Sequence, residues 1–389
     1  TNLVYDYVAS GKLPGAVAAL GWGSAPPMQI ARGMLAQDSH VPVDLDSQYR
    51  MYSMTKPITG MAAMMLVDEG KIDLDQPIAD FLPRFAKMQV QVTPDGSITD
   101  LKPAQTPITL RHLVTHTAGL GYSIIQKGPL KAAYEEAGLL PGRATRLAIP
   151  ELGTRKTLPS LTQFADKLAE MPLVYEPGTR WSYSVGLDLV GRIIEVVSGQ
   201  DFDAFLAERI FGPCGMTSSG FQVTPAQVSR LTTNYAIQPD KTFALDPAAT
   251  SIYLDPPPFP FGGSGLVSSP RDYDRFLMML AGAGTIGGAR VMTETAVRLG
   301  ISNLLPAAAD IGGTWIAGAG FGAGGRVGLG EDAGTFGWSG AAGTVGFVNM
   351  RIGLRAGLYV QYMPSNALPI QEEFPKAVLT DISAMKKAA

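Results

Sequence analysis

The sequence predicts a mixed α/β (α+β) fold: an antiparallel β-sheet flanked by helices, with a mainly helical inserted domain. Three observations predict it. Strand signals lie near both ends of the 389-residue chain, at 15–35 and again after 315. From about 86 to 260 they become rare, and helical stretches alternate with Pro/Gly loops. After 315 the strands follow one another closely with short glycine turns, the pattern of an antiparallel meander. The expected division is a sheet domain of residues 1–85 and 261–389 and a mainly helical domain of 86–260, with the active site at their interface.

In chain order, residues 3–9 read as a short helix. Gly15–Trp22 reads as a buried strand and Met28–Leu35 as a second, turned at Ala25-Pro26-Pro27. A helix is expected at or just after Ser53, a good N-cap type, with Pro57 in the first turn where a missing N–H costs nothing. From Met61 to Val67 that helix is apolar all round and therefore buried on every side, and Gly70 is its C′ residue. Leu110–His116, Leu161–Glu170, Gly186–Val197 and Phe202–Ile210 are further helices, the third closed by Gly199. The proline-rich stretch 239–260 is a return linker or pocket rim. Pro270–Leu280 is a helix capped by Ser269. Strands are expected at Trp315–Gly320, Arg326–Leu329, Thr335–Trp338, Thr344–Met350 and Ala356–Gln361, with a covering helix over 371–386.

Composition narrows the function classes. Apolar residues make up 46% and charged residues 17%, which fits a globular chain. The 31 basic and 34 acidic residues give a net charge of −3 without a basic block, so nucleic-acid binding has no electrostatic support. The single cysteine, Cys214, excludes an intrachain disulfide and reads as a packed thiol. No run of ~18 apolar residues offers a membrane span. Thr1 to Asp6 show no signal-peptide pattern, so the expected location is cytoplasmic, or periplasmic or secreted if a leader has been removed.

The chemistry centres on Ser53-Met54-Thr55-Lys56. Ser-x-x-Lys puts a hydroxyl and an amine on one helix face, about a turn apart. A serine at the mouth of a buried helix has free backbone N–H groups that can bind an oxyanion, and a lysine one turn on that can help take its proton. The spacing alone is weak, since about one chance match is expected in such a chain. Ser383-Ala384-Met385-Lys386 has it too and reads as the solvated end of a terminal helix. Trp181-Ser182-Tyr183-Ser184-Val185 places Tyr183 at a loop–helix junction, as a third group to relay protons. Gly337-Trp338-Ser339-Gly340-Ala341 lets a substrate approach a strand edge closely. His112 and His116 are i and i+4 but lack the adjacent glutamate of a zinc helix, and His40 is isolated. No G-x-S-x-G elbow and no phosphate loop occur. No metal or cofactor is expected.

Ser53-x-x-Lys56, Tyr183 and a Gly-rich strand after 330 occur in the order and spacing of a known family. With Leu113-Val114-Thr115-His116-Thr117-Ala118-Gly119-Leu120, Tyr175-Glu176-Pro177-Gly178 and Gly263-Ser264-Gly265-Leu266-Val267-Ser268, they make residues 10–365 resemble the serine β-lactamase/penicillin-binding-protein superfamily. The likeness is to its class C side, and within that to the family VIII carboxylesterases. The resemblance implies Ser53 as nucleophile, Lys56 and Tyr183 as the base pair, and the N–H groups of Ser53 and Ala341 as the oxyanion hole.

Two departures bear on the substrate. The family's Tyr-x-Asn is here Tyr183-Ser184-Val185, and its Lys-Thr-Gly is Trp338-Ser339-Gly340. An amide becomes apolar and a cation becomes an indole, which disfavours an anionic β-lactam, because a buried anion without a partner is costly. The expected activity is a serine carboxylesterase acting on short- to medium-chain, small-molecule esters through an acyl-Ser53 intermediate. The alternatives are a β-lactamase, D-amino-acid peptidase or linear-amide hydrolase of the same fold, an acyltransferase, or a non-catalytic binding protein. Trp338, Ser339, Gly340, Tyr122, Trp181, Phe259 and Phe261 are the candidate substrate-binding residues.

Overall fold

The computed structural model describes residues 2–147 and 157–388. Its main sheet has seven strands in the spatial order Gly320–Phe321, Arg326–Val327, Thr335–Ser339, Val345–Asn349, Leu354–Tyr359, Gly15–Trp22 and Met28–Gly33. Every neighbouring pair is antiparallel. The strand Gly15–Trp22 therefore inserts beside the last strand of the late meander, pairing Val17 with Tyr359.

Side chains alternate across this sheet with a period of two. Ala16, Ala18, Leu20, Leu354, Ala356 and Leu358 join Val4, Tyr7, Phe374 and Val378 in a core under the helices Asn2–Ala9 and Ile370–Ala388. Val17, Ala19, Val348 and Tyr359 face the opposite way, into the largest core, with the helix Pro270–Ala281. Helices thus cover both faces. Ser269 caps the last of these helices by accepting from the Asp272 N–H.

The helix Thr55–Asp68 runs through the largest core, and every residue from Thr55 to Leu66 is buried. Gly70, at φ +66°, closes it: its N–H bonds Val67 O, and the Lys71 N–H bonds Leu66 O, a Schellman pair. A Cβ at Gly60 would lie 2.1 Å from Ala323 O, so the helix meets the sheet's edge loop main chain to main chain. Cys214 is buried, and burial pushes its thiol up to about 12. Among the described residues no helix is long and apolar enough to cross a membrane.

Several expectations need correction. Ser53 does not cap the helix with its side chain. It sits in a 3₁₀ turn, Tyr52–Met54, that precedes the α-helix. Trp315–Gly320 is not a strand: Thr314 anchors a turn there, and only Gly320–Phe321 pairs. Two glycines on its N-terminal side and Gly318 at φ +79° favour turning over extension. The helix from Phe202 is α only to Leu206 and then widens into a π turn, Ala207–Phe211. The stretch 239–260 is more than a linker: Thr242–Asp246 pairs with Asn234–Ile237, which pairs with Tyr362–Met363. The side chains of Ser383 and Lys386 lie outside the described residues.

Candidate active site

The 3₁₀ turn that carries Ser53 begins on a strained residue. Tyr52 has φ +45°, an outlier for a bulky side chain, and its ring is buried edge-on to Tyr253. The strain is held by what surrounds it. Two residues before Tyr52, the Arg50 guanidinium donates to Asp246 at 2.7 Å, to Thr232 O at 2.6 Å and to Ser251 at 3.0 Å. Beyond it, Met54 O accepts from the Tyr273 hydroxyl at 2.9 Å.

One turn on, the buried Lys56 Nζ donates to Ser53 Oγ at 3.1 Å and to Gly263 O at 2.7 Å. The segment around Gly263 runs alongside this first turn. Thr59 Oγ1 donates to Gly262 O at 2.7 Å, and the Leu266 N–H donates to Thr55 Oγ1 at 3.1 Å. Nζ is thus within proton-transfer reach of the hydroxyl, and the main chain fixes it there.

Tyr183 approaches from the opposite side. Its loop is tied to residue 116: the Ser182 N–H bonds His116 O at 2.9 Å, and the Ser184 N–H bonds His116 Nδ1 at 3.2 Å. Burial first, and then the Lys56 charge, hold His116 well below the usual imidazole range. It is a neutral ring packed on Tyr183 at 4.6 Å between centroids. Lys56 Nζ lies 4.5 Å from the Tyr183 ring centroid and 5.8 Å from that of Tyr122. The Tyr183 hydroxyl accepts from the Trp338 indole N–H at 3.0 Å, which leaves its own proton for another acceptor.

The turn after Ser339 packs on the chain just before Ser53. A Cβ at Gly340 would lie 2.4 Å from Met51 O. From the helix Ile370–Ala388, Gln371 Nε2 donates to Gly340 O at 2.9 Å and to Thr344 O at 2.8 Å, bracing this turn. Neither the Ser53 N–H, which precedes the first bond of its 3₁₀ turn, nor the Ala341 N–H donates to a carbonyl among the described residues. These two N–H groups, close to where Gly340 meets Met51, are available as donors.

The structure brings together Ser53, Lys56, Tyr183, Tyr122, Trp338 and the turn of Ser339, Gly340 and Ala341. Trp181 stands behind Tyr183, stacked on it at 6.0 Å and buried. Phe259 and Phe261 stack on each other at 4.2 Å, and Phe259 also meets Phe164, so they form a neighbouring apolar group rather than a wall against Tyr183. Three further residues were not evident from the sequence. Trp315 is 63% exposed and lies 5.2 Å from the Tyr183 ring, and Phe321 meets Trp338 at 5.2 Å. Asp188 is a buried carboxylate whose signal was an acid in the otherwise apolar first turn of Gly186–Ser198. Among the described residues no group of three or more His, Cys, Asp or Glu is placed to hold a metal ion.

The chain matches the Beta-lactamase family over residues 1–375. It is 35% identical over 291 residues to Protein Rv1367c of Mycobacterium tuberculosis (strain ATCC 25618 / H37Rv), covering 75% of this chain and 68% of that one. It is 29% identical over 281 residues to Esterase EstB of Burkholderia gladioli, covering 68% of this chain and 65% of that one. Among solved structures, "EstCE1, a hydrolase with promiscuous acyltransferase activity" superposes with a TM-score of 0.74 at 23% identity, covering 95% of this chain and 96% of that one. That last likeness shows the fold. Matched along nearly its whole length, the chain belongs to the Beta-lactamase family and is a serine hydrolase.

Proposed function

We propose that the protein is a serine carboxylesterase acting on short- to medium-chain, small-molecule esters through an acyl-Ser53 intermediate. The observation that carries this reading is the buried contact of Lys56 Nζ with Ser53 Oγ, facing an indole at 338 where a cation would suit an anionic substrate. Similarity to the esterase EstB agrees with it. Ser53 Oγ attacks the carbonyl carbon, and its proton passes to the Lys56–Tyr183 pair. The oxyanion is received by the N–H groups of Ser53 and Ala341. Tyr183 returns the proton to the leaving alcohol, and the same pair activates water, which releases the acid. The site lies where the 86–260 insertion meets the domain of 1–85 and 261–389, and Trp338 and Tyr122 line the substrate's path.

Hydrolysis of p-nitrophenyl butyrate by the wild type and by Ser53→Ala tests this. Turnover that disappears in the variant is expected. Turnover that survives would mean that another group is the nucleophile. A second reading is acyl transfer to an alcohol instead of water, and the promiscuous acyltransferase activity of EstCE1 favours it. Product analysis with an added alcohol acceptor separates the two.

A further inference from the structure

The mechanism above leaves one buried carboxylate unused. Asp188 lies in the first turn of the helix Gly186–Ser198 and is 1% exposed. Its Oδ1 accepts the Gly263 N–H at 2.9 Å, and the Gly263 carbonyl accepts Lys56 Nζ at 2.7 Å. One residue's two main-chain polar groups therefore stand between the carboxylate and the ammonium. No direct bond joins Asp188 to Lys56 among the described residues.

The fit is too close for any residue but glycine. A Cβ at Gly263 would lie 2.7 Å from Asp188 Oδ2, and one at Gly262 would lie 2.5 Å from Leu187 O. On its other side this stretch of chain is gripped by Thr59 and Lys56. Residues 262–263 are thus clamped between the nucleophile's helix and the helix that carries Asp188. A displacement of either wall moves the carbonyl that holds Lys56.

A carboxylate in such a place needs charge support. Burial pushes Asp188 up to about 6, against the pull of the Gly263 N–H and the Lys56 charge. The helix N-terminus also favours its anion. The other ionisable groups at this corner are Tyr122, which faces both Asp188 and Tyr183, and His116, which faces Lys56 and is neutral.

We propose that Asp188 is a positioning residue: as an anion it fixes the Gly263 carbonyl that receives the Lys56 ammonium, and it supplies the counter-charge that keeps Lys56 against Ser53. The inference rests on the assignment of Ser53 and Lys56 made above. Because the anion is the working form, activity is retained above the Asp188 pKa and lost as pH falls through it.

The test is kcat and KM for p-nitrophenyl butyrate from pH 5 to 8 in the wild type and in Asp188→Asn. The variant keeps an oxygen for the Gly263 N–H and removes only the charge. Loss of one charge-assisted restraint is expected to lower kcat at pH 8 by ~10–100-fold with KM little changed. The acid limb of the wild type near pH 6 should be absent from the variant. An unchanged kcat in the variant, or a wild-type kcat that is flat to pH 5, overturns the proposal. Where Asp188→Asn does not fold, infrared difference spectra of the wild type decide. A buried protonated-carboxyl band that rises as kcat falls supports the assignment, and a fall in kcat without it overturns it. Labelling of Ser53 by a fluorophosphonate separates the two levels. Labelled Ser53 with a silent Asp188 sinks this inference alone, whereas a wild type whose Ser53 resists labelling sinks the nucleophile and this inference together.

Discussion

Ser53 and Lys56 are held by hydrogen bonds on several sides, whereas Tyr183 is held mostly by rings. On the first side, Lys56 has two bonds, Thr55 and Thr59 each tie the helix to 262–266, and Arg50 anchors the approach through a buried ion pair with Asp246. On the second, His116, Tyr122, Trp181, Trp315 and Trp338 surround one phenol, and among the described residues a single hydrogen bond reaches its oxygen. Hydrogen bonds weaken steeply with angle, while ring contacts tolerate a broad range of offsets. Ser53 Oγ and Lys56 Nζ are thus placed by directional contacts. The rings around Tyr183 are placed by contacts that can be repacked.

This contrast can be broken at four points. Tyr183→Phe keeps the ring packing and removes the proton carrier, so kcat for p-nitrophenyl butyrate should fall by ~10²–10⁴-fold while the thermal midpoint stays close to that of the wild type. Near wild-type turnover would take Tyr183 out of the mechanism. Asp246→Ala leaves the Arg50 guanidinium buried without its anion and should cost about 3–5 kcal/mol in urea unfolding. A much smaller loss would mean that the Thr232 and Ser251 contacts suffice on that side. Trp338→Phe preserves the ring but deletes the indole's bond to the phenolic oxygen. A fall of roughly tenfold in kcat is expected, and an unchanged kcat would make Trp338 a packing residue only. Trp315→Ala should have the smallest effect, about two- to fivefold in KM for bulky esters with kcat and stability kept, because its ring is mostly in solvent. A large loss of stability there would show that Trp315 is part of the core.

The strand Gly15–Trp22 was legible to the residue, because its short length and flanking glycine and proline residues decide between strand and buried helix. The same holds for the Gly70 stop, the Ser269 cap and the left-handed Gly199. Ser53, Lys56 and Tyr183 could be picked from motif order, and the structure places them in one cluster. What failed depended on partners distant in sequence. Ser53 has the composition of a cap, but the left-handed Tyr52 before it makes a 3₁₀ turn and points the hydroxyl at Lys56 instead. Trp315 has a strand-forming side chain, yet no strand stands ready to pair with it among the described residues. Asp188 could not be separated from a solvated helix acid without knowing that Gly263 lies against it.

Gln371 gives the molecule an order of assembly. Ser53 and Lys56 leave the ribosome early, and their helix has most of its local sequence at hand. The turn with Gly340 and Ala341 has its own main-chain bonds, and it gains two more when the helix that carries Gln371 docks beside it. A nascent chain therefore carries Ser53 and Lys56 well before the nearby turn gains these last two bonds.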